Sequence, residues 1–294
     1  MSTSDIVARR FAEYLDRSQP ADNVLATAIE RTKDIQAALL RSVDIAHAAR
    51  VGSFYKGSAV RAASDLDLFV VLRRDDVRRA GRYVASTTVL DHLRSAISDR
   101  YPRSVVGRDR SAVVVSFNTG IPIDVVPAVF VGPLQSGHPL YQIPHGGGGW
   151  LETSPDAQRT AFAVADRRSG SKLRRSIQLI KTWARYRQAP LPISSYYLES
   201  ALAAAQVANG PRPYSLIMAD SFRVLAKRGA TALQDPLGIS GYILPARTEA
   251  QRNSLCGSLG FAYQHSSAAY DAECAGDSRE GIRQWRVILP GLRA

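Results

Sequence analysis

The stretch at residues 52–72 reads GSFYKGSAVRAASDLDLFVVL, and the rest of the chain is interpreted from it. It opens with a Gly-Ser turn at Gly52 and Ser53 and closes with an apolar run that predicts a buried strand. Asp65 and Asp67 stand at the start of that strand. Side chains two positions apart on a strand point to the same face, so the two carboxylates are predicted to project from one side of a sheet.

Two like charges that close repel one another unless a cation lies between them. Mg²⁺ accepts hard carboxylate oxygens while it keeps positions for water and substrate phosphates. The alternative is an edge strand on which Asp65 and Asp67 simply face solvent. The Gly-Ser turn before the pair and the apolar run after it favour the divalent-metal interpretation, because the combination is more specific than an Asp-x-Asp pattern alone.

A third carboxylate falls on a second predicted strand, residues 121–130, which reads IPIDVVPAVF. Asp124 stands there between Ile123 and Val125. A carboxylate that is buried and unpaired on so apolar a strand is costly. Either the strand is an exposed edge, which its prolines would permit, or Asp124 supplies the third carboxylate that a second metal ion needs.

The motifs GS, KGS and SDLDL at residues 52–53, 56–58 and 64–68 resemble the signature of the DNA-polymerase-β-like nucleotidyltransferases. Within that superfamily the chain is most similar to the bacterial cyclic-oligonucleotide synthases related to cGAS, DncV and oligoadenylate synthase, the CD-NTases. The resemblance implies an α/β (α+β) fold with a cleft between two lobes. Residues 1–155 would form a nucleotidyltransferase lobe with a mixed sheet and N-terminal spine helices, and residues 156–294 a helical lobe.

The resemblance also implies a role for each site residue. The catalytic residues, which also bind metal, would be Asp65, Asp67 and Asp124. They would hold two Mg²⁺ ions, for which Mn²⁺ could substitute. The nucleotide-binding residues would be Gly52, Ser53, Lys181, Ser195 and Tyr196.

Elementary physics agrees with these roles in the C-terminal half. Ser195 is predicted at the start of a helix, where free amides and a positive partial charge attract phosphate. Tyr196 offers a flat face on which a base can stack. The alternatives are that Lys181 belongs to a solvated basic helix face and that Tyr196 packs in the core, with Tyr197 the exposed one of the two tyrosines.

The composition predicts an ordinary soluble protein that handles polyanions. The formal net charge of +12 and the pI near 10.0 suit nucleotides, nucleic acid or merely a basic surface, and charge alone does not decide among them. No apolar run is long enough to span a bilayer, and the N-terminus lacks a charged-then-apolar signal. We therefore expect a cytoplasmic protein with no membrane partner.

Two cysteines, Cys256 and Cys274, flank His265 and could be imagined as a zinc site. A closed structural site needs four ligands, and no fourth is apparent in the sequence. Two reduced thiols are the better interpretation, and the role of these three residues stays open.

The periodicity of the remaining chain predicts mostly helices. Predicted helices cover about 2–17, 23–48, 76–100, 157–168, 171–188, 194–208, 213–228 and 247–271. A strand is predicted at 112–117 in addition to 121–130, and residues 131–160 are predicted to form an irregular, Gly-rich connection.

The predicted function is metal-dependent nucleotidyl transfer. The resemblance implies that NTPs (ATP, GTP or both, with pyrimidine NTPs not ruled out) are joined into a cyclic di- or trinucleotide second messenger of antiphage defence, with release of pyrophosphate. A linear product, or transfer onto tRNA or a protein, is an alternative within enzymes. A catalytically silent nucleotide- or RNA-binding module is an alternative of another class. The sequence leaves open the base preference, the linkage and any activating ligand or regulatory protein.

Overall fold

The computed structural model describes residues 3–61, 64–79, 82–187 and 190–293. Internal contacts divide the chain into two compact units. The unit that contains the main sheet, here the sheet unit, comprises Pro20–Gly57 and Ser64–Thr160. The other, the helical unit, comprises the described residues of Met1–Gln19, Ser58–Ala63 and Ala161–Ala294.

The chain is a mixed α/β fold. The helices are α1 Thr3–Arg17, α2 Asp22–Leu39, α3 Gly52–Lys56, α4 Ser86–Arg100, α5 Pro155–Arg168, α6 Lys172–Arg185, α7 Ser195–Ala204, α8 Tyr214–Lys227, α9 Glu249–Cys274 and α10 Ser278–Ile288. The strands are β1 Ile45–Val51, β2 Leu66–Leu72, β3 Arg78–Arg79, β4 Arg82–Tyr83, β5 Val105–Asp109, β6 Ala112–Ser116, β7 Ile123–Pro133, β8 Pro139–Pro144, β9 Trp150–Thr153, β10 Leu233–Gln234 and β11 Tyr242–Ile243. None of the helices described is long and apolar enough to cross a membrane.

The main sheet has the strand order β1-β2-β7-β6-β5, and it is mixed. Strand β2 runs antiparallel to β1 and parallel to β7, with Leu66 opposite Ile123 and Leu72 opposite Val129. Strand β7 also pairs antiparallel with β6 and β8, and β8 pairs with β9. Strand β7 is thus an interior strand, and the alternative that Asp124 lies on an exposed edge strand is wrong.

The two faces of the sheet bury different residues because side chains alternate along a strand. One face carries Leu68, Val70 and Val125, which pack with apolar residues of α2 and α4 such as Ile35 and Leu93. The opposite face carries a smaller apolar cluster, whose buried members are Phe69, Val71, Ala128 and Tyr141. By the same alternation Asp67 and Asp124 belong to this second face.

The helical unit has its own core, to which both the first and the last helix contribute. The rings of Phe11 on α1 and Trp285 on α10 meet edge to face at 5.0 Å, and Trp183 meets Phe222 at 5.1 Å. The predicted division after residue 155 lies five residues before the point at which the contacts divide. The sequence also assigned the first helix to the N-terminal lobe, whereas α1 packs with the helical unit.

The predicted helix at 23–48 is too long. Helix α2 ends at Leu39, and the alanine-rich residues 45–50 form β1 instead. Alanine favours helix when it is read locally. The hydrogen-bonded ladder between β1 and β2 outweighs that preference. It pairs every residue of β1 with β2 except Ala46, where the register shifts.

Two further regions differ from the predictions. The predicted helix at 76–100 starts only at Ser86 and follows a 3₁₀ turn at Arg74–Val77 and the β3–β4 hairpin. The predicted irregular connection at 131–160 contains the hairpin of β8 and β9. The prolines and glycines that flank these strands are typical of loops, and the burial pattern of the strands does not alternate, so local periodicity did not indicate them. Strand β5 was missed as well.

Candidate active site

Asp67 and Asp124 are register partners in the parallel ladder between β2 and β7. Neighbouring strands lie about 4.8 Å apart, and paired residues point to the same side of the sheet. The two carboxylates are therefore side by side on the face opposite α2 and α4. The sequence predicted that they would converge, and the register confirms that they lie on adjacent strands.

Asp124 carries a carboxylate whose charge is poorly compensated. Its Oδ1 atom is buried and has no hydrogen-bond partner among the described residues. Burial raises the pKa of this carboxyl group to about 7, and the negative charges of Asp65 and Asp109 add to the effect. A poorly compensated carboxyl group beside other carboxylates is typical of a site that binds a cation.

Asp65 precedes the first residue of β2 and is exposed. The amide of the next residue, Leu66, donates to the Pro122 carbonyl at 3.0 Å, which fixes the start of β2 beside the start of β7. Asp65 lies two residues before Asp67 and close enough to raise the pKa of Asp124. The three predicted carboxylates thus belong to one end of two adjacent strands.

The backbone of Gly52 lies against the carboxylate of Asp67. Gly52 has a φ of +70°, a conformation that favours glycine. A Cβ atom at this position would overlap Asp67 Oδ2 and come within 2.7 Å of Asp67 Cγ. Gly52 and Ser53 are also the first residues of α3. The Gly-Ser motif therefore lies next to the acidic pair, as the sequence predicted, although it opens a short helix rather than a plain turn.

The described side chains do not form a ready-made metal cage. In the described ranges, no group of three or more His, Cys, Asp or Glu side chains is gathered closely enough to hold a metal ion. The fit of a divalent ion therefore rests on the register of Asp67 and Asp124 and on the uncompensated Oδ1 of Asp124. Cys256 and Cys274 are free thiols, and His265 Nδ1 lies 2.6 Å from Gln284 Oε1.

A pocket of about 370 Å³ opens on the face of the sheet that carries Asp67. Its lining includes Gly52, Asp67 and the apolar Phe69. Cationic side chains also line it, and they are Arg50, Lys56 and Arg159. The guanidinium of Arg159 lies 5.0 Å from the centre of the Tyr55 ring. The pocket thus combines an acidic group with an apolar floor and positive charge, which suits a phosphorylated ligand.

Lys181 lies in the helical unit and is buried rather than solvated, so that alternative is wrong. Its Nζ atom lies 3.3 Å from Glu199 Oε1, from Ser58 O and from Ser58 Oγ. The Ser58 hydroxyl donates to the same Glu199 oxygen at 3.0 Å. The predicted contact between Lys181 and the triphosphate stays a prediction.

Ser195 is the first residue of α7, at the helix start where the sequence placed it. The cap itself is Ser194, whose hydroxyl oxygen accepts from the Tyr197 amide. Tyr196 is half-buried, and its hydroxyl donates to Asp235 Oδ1 at 2.7 Å. Tyr197 is the core residue of the two tyrosines, being 1% exposed. The roles of Ser195 and Tyr196 in nucleotide binding stay predictions.

Comparison with known proteins identifies the family. The sequence pattern of the Second Messenger Oligonucleotide or Dinucleotide Synthetase (SMODS) domain matches residues 6–165, which is more than half of the chain. The chain belongs to the SMODS family. These proteins are bacterial CD-NTases, as the motifs at 52–68 indicated.

One curated relative of this SMODS protein is the cyclic AMP-AMP-AMP synthase of Escherichia coli (strain MS 115-1). The two are 28% identical over 156 residues, which is 52% of this chain and 47% of the relative. The chain thus aligns with about half the length of that synthase.

Solved structures of CD-NTases share the fold. E. coli MS115-1 CdnC with ATP has a TM-score of 0.71 at 18% identity, over 97% of this chain and 98% of that one. The same protein in its CdnC:HORMA-deltaN complex has a TM-score of 0.70, at the same identity and coverage. Bradyrhizobium diazoefficiens CdnG with GTP has a TM-score of 0.68 at 16% identity, over 96% of this chain and 98% of that one. The SMODS protein therefore has the polymerase-β-like nucleotidyltransferase fold.

Several pocket residues of the SMODS protein were missed at the sequence level. Tyr55 and Lys56 stand inside the decisive stretch, so their proximity to Gly52 could have suggested them. Arg50 was assigned to no element of the site because β1 was read as part of a helix. Arg159 lies far along the chain from the motif, and no sequence pattern marks it.

Proposed function

We propose that this CD-NTase transfers nucleotidyl groups between NTPs, releases pyrophosphate and closes the product into a cyclic oligonucleotide. The observation that carries the proposal is the pairing of Asp67 with Asp124, whose Oδ1 is buried without a partner among the described residues. A carboxylate in this state is costly unless a cation compensates it, as the divalent ions of nucleotidyl transfer would.

Asp65, Asp67 and Asp124 are the residues that would hold divalent ions. When bound, such ions balance the negative charge around the reacting phosphate and lower the pKa of the attacking ribose hydroxyl. The three carboxylates supply hard oxygen ligands of the kind Mg²⁺ and Mn²⁺ accept. Asn at any of these positions would keep the size but lose the charge.

Gly52 and Ser53 would hold the β- and γ-phosphates of the donor. The lack of a side chain at Gly52 lets a phosphate approach the backbone next to Asp67, and the Ser53 hydroxyl can donate a hydrogen bond to it. Arg50, Lys56 and Arg159 add positive charge along the same pocket. A triphosphate in this pocket would be held by charge-assisted hydrogen bonds.

From the helical unit, we propose that Ser195 and the free amides at the start of α7 bind the triphosphate and that Tyr196 stacks on the donor base. A helix N-terminus favours anions, and an aromatic face binds a base by stacking. Lys181 would add a positive charge, although its ammonium is engaged by Glu199.

The relatives suggest the substrates. One is a cyclic AMP-AMP-AMP synthase, and solved neighbours carry ATP or GTP. We therefore propose ATP as the first substrate to test, a cyclic di- or trinucleotide as the product and antiphage signalling in the cytoplasm as the role. A HORMA protein accompanies CdnC in one structure, so a regulatory protein is the activator we would test first.

The test is to incubate pure protein with each α-³²P-labelled NTP, singly and in mixtures, with Mg²⁺ or Mn²⁺. We expect a small labelled product that resists phosphatase, whose mass gives the ring size, and no product from Asp67→Asn. Label on added RNA or protein would favour transfer to a macromolecule, and a phosphatase-sensitive product a linear oligomer. Nucleotide binding without any product, with a HORMA protein also present, would support the silent binding module and overturn the proposal.

A further inference from the structure

Asp235 is a buried carboxylate in the loop between β10 and β11, and it is 3% exposed. Its Oδ1 atom accepts from the Tyr196 hydroxyl at 2.7 Å and from the Leu237 amide at 3.0 Å. Its Oδ2 atom accepts from the amides of Ile239 at 3.2 Å and Ser240 at 2.8 Å. Four donors therefore surround one carboxylate.

Three of these donors are backbone amides of the loop that Asp235 itself begins, so the loop holds the carboxylate in place. The Asp235 amide also donates to the Gly241 carbonyl at 2.7 Å, which closes the loop between β10 and β11. Burial acts to raise the pKa of Asp235, but the amides of Ser240 and Leu237 and the Tyr196 hydroxyl outweigh it and lower the pKa. The Asp235 carboxylate is thus a charged hydrogen-bond acceptor whose position is fixed by the backbone of its own loop.

Tyr196 is the only side chain among the four donors. Its backbone belongs to the first turn of α7, and its hydroxyl is bound to Asp235. A second hydrogen bond holds the start of α7, because the Ser194 amide donates to the carbonyl of Pro245, two residues after β11, at 2.9 Å. The first turn of α7 is therefore held at two points, by the Tyr196 hydroxyl and by the Ser194 backbone.

We propose that Asp235 is a positioning residue, which fixes the ring of Tyr196 in the orientation that receives the base of the donor nucleotide. The inference rests on the proposed function, because it takes Tyr196 as the stacking residue. A ring that is already immobilised loses little further side-chain entropy when a ligand binds. The Asp-Pro turn at 235–236 is then part of how the site is organised and not only a chain reversal.

A purely structural role for Asp235, that of closing the loop, makes a different prediction. Tyr196→Phe removes the bond between the two side chains but leaves every backbone bond of Asp235 in place. If Asp235 only closes the loop, Tyr196→Phe should bind nucleotide as the wild type does. If Asp235 positions the ring, the loss of the hydroxyl should weaken binding even though the loop is intact.

The experiment measures kcat and KM for ATP, and the affinity for a non-hydrolysable ATP analogue, in Tyr196→Phe, Asp235→Asn and the double variant. We expect KM and Kd to rise about three- to tenfold in each single variant and kcat to change less than twofold. The double variant should lose less affinity than the sum of the two single effects, because both single variants disturb the same bond between Tyr196 and Asp235. Tyr242→Phe, which changes an exposed tyrosine at the end of the same loop, is the matched control, and its KM and Kd should equal those of the wild type.

Unfolding midpoints of all variants are measured in parallel. Wild-type affinity in Tyr196→Phe, or fully additive effects in the double variant, would overturn the inference. If the wild type makes product but Tyr196→Phe is unaffected, only the inference fails. If the wild type neither binds the analogue nor makes product, the proposed function fails and the inference fails with it.

Discussion

Lys181 and Glu199 form an ion pair in the interior of the helical unit, with Nζ and Oε1 3.3 Å apart and each side chain 4% exposed. Removing one partner of a buried pair leaves a charge without compensation, which costs about 3–5 kcal/mol, whereas replacing both with apolar residues is often neutral. We therefore expect Lys181→Met and Glu199→Leu to be strongly destabilising when made singly. The double variant Lys181→Met/Glu199→Leu should regain most of the stability.

Urea unfolding of the three variants measures their free energies of unfolding. Activity measurements on the same samples distinguish two roles for Lys181. If its main role is the ion pair, the stable double variant keeps the wild-type KM for ATP. A raised KM in a double variant of normal stability would show that the ammonium also contacts the triphosphate.

The second prediction concerns the pH dependence of stability without metal. The pKa of Asp124 is about 7 in the folded chain, against 3.8 for a carboxyl group of aspartate in water. The folded state therefore holds this proton more tightly, and the resulting stability is lost as pH rises from about 4 through about 7. At 1.36 kcal/mol per pKa unit, the loss reaches up to about 4 kcal/mol above pH 7.

Asp124→Asn removes that charge, so in EDTA at pH 8 it should unfold at a higher urea concentration than the wild type. The difference should shrink as pH is lowered toward 5. Added Mg²⁺ should stabilise the wild type more than it stabilises Asp124→Asn, which lacks one of the three carboxylate ligands. A variant that is less stable than the wild type at pH 8 would show that the Asp124 carboxylate is compensated in solution.

The third prediction tests the contact between Gly52 and Asp67. An alanine at Gly52 would place a methyl group on the Asp67 carboxylate in a left-handed backbone conformation. We expect Gly52→Ala to lower kcat by at least about a hundredfold through displacement of that carboxylate. Gly148→Ala is the matched control, because Gly148 also has a positive φ, of +91°, but its Cβ would meet nothing within 4 Å. Similar activity losses in both variants would attribute the effect to backbone strain alone.

The fourth prediction concerns the basic wall of the pocket. Arg159 lines the pocket and stacks on Tyr55. Arg159→Ala should raise KM for ATP by about tenfold, equivalent to about 1.4 kcal/mol. Arg159→Lys keeps the charge but not the planar stacking group, so it should recover only part of the loss. Arg94→Ala is the control, because the Arg94 side chain is exposed on α4 and does not line the pocket, and it should leave the KM for ATP unchanged.

The sequence was sufficient for those parts of the site in which chemistry and local pattern coincide. Asp65 and Asp67 stand at the start of an apolar run, and Asp124 stands in another, so two strands and their shared acidic end could be inferred. The parallel pairing that makes Asp67 the neighbour of Asp124 could not be inferred from local periodicity, because a register joins residues far apart in the chain.

The misassigned regions have the same physical cause. Residues 45–50 carry helix-favouring alanines, yet they complete a ladder with β2. The strands of the β8–β9 hairpin are bounded by prolines and a glycine run that read as loop. Lys181 looked like one of many basic residues on a helix. Its partner Glu199 lies on the next helix, so the local sequence around Lys181 gives no sign of the ion pair.

The contact between Phe11 and Trp285 has a consequence for synthesis. Apart from Ser58–Ala63, residues 20–160 belong to the sheet unit, so this unit can fold while the later helices are still being translated. At about 5–20 residues per second, the ribosome adds Trp285 roughly 15–55 s after Phe11. During that interval the apolar face of α1 that packs against Trp285 lacks this partner, so we expect it to stay exposed until the helical unit is complete.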